Sequence, residues 1–293
     1  MEQSNNSNSR IESFLENPNK ALWTLAIPIM FGMGIHTLYN LIDMIFIGRL
    51  GGSAIAGVAF NMPIFFLMLG LTMGLGSGIT SAIARYIGEK NKEKADNSAD
   101  HALFIAAIIS FFFTIAGVLY GRDILIILGA KGDILSLGYD YLSYIVLGLP
   151  FMVFSGFFRS ILAGEGDMKF PMMIAGLGTV LNIILDPIFI FDLDNYWGLG
   201  LGLGVKGAAL ATVISQLTVF IIFSYMLFIK KHAYISFNFK NFKLSKEILW
   251  NIIKVGVPAS LSMIIMAVGQ GVFNKILINY SPQTVAAYQV AGR

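Results

Sequence analysis

Two uncharged runs restrict this chain more than any other feature of its 293 residues. LFIAAIISFFFTIAGVLY (103–120) holds 18 residues without a charge, and AALATVISQLTVFIIFSYMLFI (208–229) holds 22. A helix rises about 1.5 Å per residue, so roughly 20 apolar residues cross the roughly 30 Å of hydrocarbon in a bilayer. A buried helix of a soluble protein could explain one such block, but not a series of them. Composition points the same way. The chain is 56% hydrophobic and 13% charged, where a soluble domain carries about 25% charged residues. The expected class is an all-α integral membrane protein.

Spans are expected at 21–48, 53–84, 101–121, 138–160, 171–191, 206–229 and 248–280. Barrel strands are excluded, because the blocks show no apolar–polar alternation and are about twice the length of a membrane strand. The polar residues 1–20 lack the apolar core of a signal peptide and read as a cytoplasmic tail. Cysteine is absent, so redox compartment is not encoded. With the N-terminus inside, the inner segments 1–20, 85–100, 159–170 and 230–247 hold thirteen Lys and Arg against five outside. This is the positive-inside bias of a multi-pass protein in the cell membrane. The net charge of +3 therefore reflects topology in a lipid bilayer. Nothing resembles a nucleic-acid motif.

Residues 179–191 read TVLNIILDPIFIF, an apolar stretch holding Asn182, Asp186 and Pro187. Asp186 lies five residues before the end of span five, and Asp43 lies five before the end of span one. Both spans run outward, which sets the two acids at one depth in the outer half of the membrane. Asn182 is one turn from Asp186 on the same face, and Asn40 is three residues before Asp43. Thr212 of span six and Tyr141 of span four enter the same layer. A carboxylate in lipid costs at least about 2.5–3.5 kcal/mol, so it faces protein or water and usually carries function. Such a pair can take up a proton, or share a Na⁺ with the neutral oxygens of Asn182 and Thr212, since oxygen ligands suit a hard cation. Pro187 removes a backbone donor and lets span five bend at the acid. The competing reading is an Asp186 hydrogen bond that merely ties helices together.

Other polar intruders carry less. His36 reads as a packed, hydrogen-bonded histidine. Tyr39, Asn40 and Gln216 are candidates to line a cavity. Gly70, Gly74 and Gly78, four apart, would allow close helix contact. GLGVKG (202–207) matches a dinucleotide fingerprint in letters only, because no strand precedes it. No Ser–His–Asp set or Cys–His cluster argues for an enzyme, and no cofactor beyond a coupling H⁺ or Na⁺ is expected.

A shift of 230 residues sets Pro28 against Pro258 and SAIAGVAF (53–60) against QTVAAYQV (283–290), aligning Ala56 with Ala286. Asp43 falls opposite Phe273, so the acid belongs to the first copy alone. The expected division is a tail (1–20), a six-helix lobe (21–229), a cytoplasmic linker (230–247) and the first helix of a second lobe (248–293). Duplicated bundles moving about a shared site are a common plan of secondary transporters.

The stretches LAIPIMFGMGIHTLYNLIDMIFIGRLGGSAIAGVAF (25–60), FFRSILAGEGDMKFPMM (157–173), LNIILDPIFIF (181–191) and GVKGAALATVISQ (204–216) resemble the multidrug and toxic compound extrusion (MATE) transporters. Acids confined to the first lobe resemble the DinF-like branch. The resemblance implies two six-helix lobes around a central cavity and cation-driven export of organic, often cationic, small molecules. It implies Asp43, Asn182, Asp186 and Thr212 for the cation or proton, with Ser215 as a neighbour that could serve. Pro28 and Tyr141 would bend and gate the first lobe, where Tyr139 or Tyr144 could also serve. Members have twelve helices, so the chain reads as C-terminally incomplete: a fragment, a truncation, or half of a split transporter whose partner chain supplies the rest. Two other readings stay open. One is a lipid or lipid-linked oligosaccharide flippase of related helix plan. The other is a non-transporting membrane remnant.

Overall fold

The computed structural model describes residues 18–192, 200–237 and 242–292. Most of the tail, residues 1–17, and the side chains of Pro28, His36, Tyr39 and Asn40 lie outside the described part. The described residues form helices joined by short turns: α1 (Pro18–Gly48), α2 (Gly52–Ala59), α3 (Met62–Gly88), α4 (Lys92–Ile127), α5 (Gly132–Gly164), α6 (Lys169–Ile190), α7 (Val205–Ser224), α8 (Lys246–Leu277) and α9 (Pro282–Gly292). Six helical stretches among them are long and apolar enough to cross a membrane, α2 and α3 counting as one. At about 1.5 Å per residue, the 31 residues of α1 extend about 46 Å.

The apolar surface is turned outward as lipid requires. Only 22% of the apolar window of α4 is buried, and Phe111 and Phe112 stand 63% and 66% exposed. In water such a surface would be an aggregation patch; in hydrocarbon it is a solvated face.

Local chemistry explains the ends. Asn91 caps α4 by accepting from the Lys94 N–H at 3.1 Å, and Ser245 caps α8 by accepting from Ile248. Beyond α4, Gly129 adopts φ +105°, a left-handed turn open to glycine at little cost. It lets Ala130 N–H close onto the Leu125 carbonyl at 3.0 Å.

Several expected boundaries move. The span 53–84 is broken at Phe60–Asn61, just before Pro63, which occupies the first turn of α3. Proline fits that turn because its missing donor would be unpaired there anyway. The Asn61 amide then donates to the Gly57 and Gly138 carbonyls, tying the break to α5. Helix α4 begins at Lys92, inside the inner segment 85–100, and α5 runs on to Gly164. The last turn of α7 widens into a π-helix at Tyr225–Ile229. Residues 230–237 are packed as well as connecting. Ala233 and Ile235 are buried, and the Tyr234 and Ile235 N–H groups donate to Glu165 at 2.9 and 2.7 Å.

Helices α3 and α8 make the most extensive contact, with α5 between α4 and α7 and α6 against α1 and α7. The glycine row makes the first contact possible. A side chain at Gly74 would collide with Ser260, and one at Gly78 with the Ile252 carbonyl and Gly256.

Candidate functional site

Asp43 is 6% exposed, Asn182 3% and Asp186 0%. Helices α1 and α6 pack together, which makes the two carboxylates electrostatic neighbours. Asn182 mediates between Asp186 and α7. Its Nδ2 donates to Asp186 Oδ2 at 3.1 Å while its amide oxygen accepts from the Thr212 N–H at 3.1 Å. The Thr212 hydroxyl donates to the Ala208 carbonyl at 3.0 Å, which leaves its oxygen able to accept. Two carboxylates, an amide oxygen and a hydroxyl thus gather from three helices at one level.

These are hard oxygen donors, and they fit a proton or a Na⁺. The set does not fit a transition metal. Among the described residues no group of three or more His, Cys, Asp or Glu side chains comes together.

A buried apolar cluster, an apolar plug, packs one turn beyond the acids. Ile47 follows Asp43 by four residues, Ile190 follows Asp186 by four, and Ala208 precedes Thr212 by four. Together with Ala54, Val58 and Val205 they form a single buried cluster. Phe46 and Phe191 meet edge to face over it, with centroids 6.0 Å apart. On the other side of the acids a cavity of about 540 Å³ opens between α1, α3, α5, α6 and α7. Asp43, Asn182 and Thr212 line it, as do Tyr141 and Gln216. Asp186 sits behind Asn182 and has no exposed surface. Helix α6 runs through Pro187 and ends three residues later, at Ile190. Ser215 lines the cavity with a buried hydroxyl that has no partner among the described residues, and Tyr139 is an exposed residue at 37%.

One lining residue corrects the reading of the sequence. Arg159, counted there among the basic residues of the inner segment 159–170 although the span 138–160 includes it, belongs to α5 and lines the cavity. The signal was present in the spacing. Tyr141, Ile145, Leu149, Met152, Ser155 and Arg159 recur every three or four residues and all line the cavity. The 3.6-residue period therefore sets Arg159 on the cavity-facing side of the expected span 138–160, which α5 extends to Gly164.

A family profile described as MatE matches residues 28–188. The chain is 31% identical over 277 residues to the multidrug export protein MepA of Staphylococcus aureus, covering 94% of this chain and 59% of that protein. It is 28% identical over 271 residues to the probable multidrug resistance protein YoeA of Bacillus subtilis, covering 91% and 58%. Among solved structures, an outward-facing multidrug resistance MATE transporter of the MOP superfamily superposes with a TM-score of 0.82 at 38% identity. That match covers 94% of this chain and 60% of the other. The chain thus spans about three-fifths of the length of these relatives. Matched over more than half its length by the profile and through nearly all of it by these relatives, the chain belongs to the MatE family.

Proposed function

We propose that this chain is the larger part of a cation-driven exporter of organic, cationic compounds. In this reading Asp43 and Asp186, with Asn182 and Thr212, take up H⁺ or Na⁺, and the cavity beside them receives the exported molecule. One observation carries it: carboxylates from two different helices meet at one buried level, at the end of a drug-sized cavity. Two charges set side by side away from water are costly unless a cation or proton joins them.

Uptake of that cation relieves the repulsion between α1 and α6 and favours an arrangement in which the two stay close. Its loss favours one in which they part and the apolar plug loosens. A ligand shifts such an equilibrium only as far as its affinities for the two states differ. Pro28, Pro187 and Tyr141 are the positions at which the helices would bend and gate. Asp43, facing the cavity, favours a positively charged substrate there. The charge bias supports a cytoplasmic N-terminus in the cell membrane, with the acids toward the outside. Residues 21–229 then form the first lobe, 230–247 a cytoplasmic linker, and 248–293 the beginning of a second lobe. The rest would come from a longer chain or from a partner chain.

The test is drug efflux by the complete transporter. Asp43→Asn and Asp186→Asn should each abolish it at unchanged membrane level. Unimpaired efflux from both variants would refute the proposal.

A further inference from the structure

Among the described residues Arg159 is the one cation lining the cavity, and it has no hydrogen bond or ion pair with any of them. A guanidinium stays protonated at any physiological pH, and an uncompensated charge in a low-dielectric wall is destabilising.

Two further groups beside it are unsatisfied. Ser155 precedes Arg159 by one turn on the same face of α5. Thr72 of α3 meets α5 at Gly156, where an added Cβ would strike its methyl group. Both residues line the cavity, and both hydroxyls are buried without a partner among the described residues. Buried hydroxyls are ordinarily hydrogen-bonded, so a wall holding an unpaired guanidinium and two idle hydroxyls is incomplete.

This end is remote from the acids. Pro171 and Phe223 line it, and each lies eleven residues along its helix from Asn182 or Thr212, roughly 16 Å at 1.5 Å per residue.

We infer that Arg159, with Ser155 and Thr72 beside it, forms an anion subsite that holds the carboxylate, sulfonate or phosphate of an amphipathic ligand in the cavity. The inference rests on the cavity being the ligand site and refines the substrate class. The molecule carried has an acidic group at the Arg159 end and a basic one toward Asp43. The planar fork of arginine suits a carboxylate bidentately. Phe65, Phe66 and Phe223 on the cavity wall supply the apolar surface for the rest of such a molecule, and the volume lies within the usual range for drug-sized ligands.

The test uses the purified chain in phosphatidylcholine nanodiscs and two fluorescent probes, dansylglycine and its neutral amide. The wild type should bind the acid at least about tenfold more tightly than the amide, the size of one charge-assisted pair. Arg159→Gln should erase that preference and leave amide binding within about twofold, while Arg159→Lys should keep part of it. Repeating the titration with phosphatidylglycerol in the disc separates two sources of the anion. Loss of the dansylglycine signal assigns the subsite to an acidic lipid headgroup, an unchanged signal assigns it to soluble acids, and either result keeps the inference. Equal binding of acid and amide by the wild type, or a preference that survives Arg159→Gln, overturns it. Binding of neither probe overturns the cavity reading itself.

Discussion

Asp43 and Asp186 were legible in the sequence because lipid makes any carboxylate conspicuous, and Asn182 because it stands one turn from one of them. What sequence could not give is how the four groups are wired, with Asn182 bridging Asp186 to the α7 backbone. Arg159 escaped notice for the opposite reason. A cation near a span end is the ordinary sign of an interface, and only the packing of α5 shows it facing inward. Glu165 was hidden too, since nothing in GEGD says that its carboxylate will bind the backbone of residues seventy positions later. Burial lifts Glu165 from its ordinary 4.5 to about 7, against the pull of the Ile235 and Tyr234 N–H groups. The folded value is the higher one, so its contribution to stability is full below about 4.5 and is lost as pH rises through about 7. Between pH 5 and 8 the chain should lose about 1–2 kcal/mol from this group, a figure already reduced for its partial exposure. Glu165→Gln should flatten that dependence, read as melting temperature at both pH values. An identical slope in the two proteins would show that the group does not titrate with folding.

Helix existence was read correctly because a span of apolar residues has no other stable form in a bilayer. Helix ends were read less well. Asn61 and Pro63 mark the break between α2 and α3 only once the Asn61 amide is seen bridging Gly57 and Gly138. Lys92 opens α4 because Asn91 caps it, a polar device within a stretch that looks like a loop. The glycine row of α3 was the element-level feature most fully written in the chain, and its partner is α8. Gly78→Leu should drive its side chain into the Ile252 carbonyl, an overpacking that costs about 1–3 kcal/mol. That corresponds to a melting temperature lower by about 3–10 °C. Gly88→Ala, where an added Cβ meets nothing within 4 Å, is the control. Equal melting temperatures for both variants would mean that α3 and α8 do not pack this closely.

Across the whole molecule the 230-residue repeat recurs in the helix boundaries. Shifted by that interval, α1 falls on α8 and α2 on α9, and α9 packs back against α2. The repeat keeps the backbone plan and drops the chemistry: Phe273 stands where Asp43 would be and is 52% exposed. One acid-lined level therefore serves the described bundle, between an apolar plug and a cavity whose far end holds Arg159. The account stands or falls on the two carboxylates acting as a single cation site. Uptake of protons and of radioactive sodium by the purified chain in nanodiscs measures this directly. Asp43→Asn, Asp186→Asn and the double variant should all lose the same saturable uptake, because groups sharing one site are not additive. Uptake that survives in the double variant, or losses that simply add, would contradict the account.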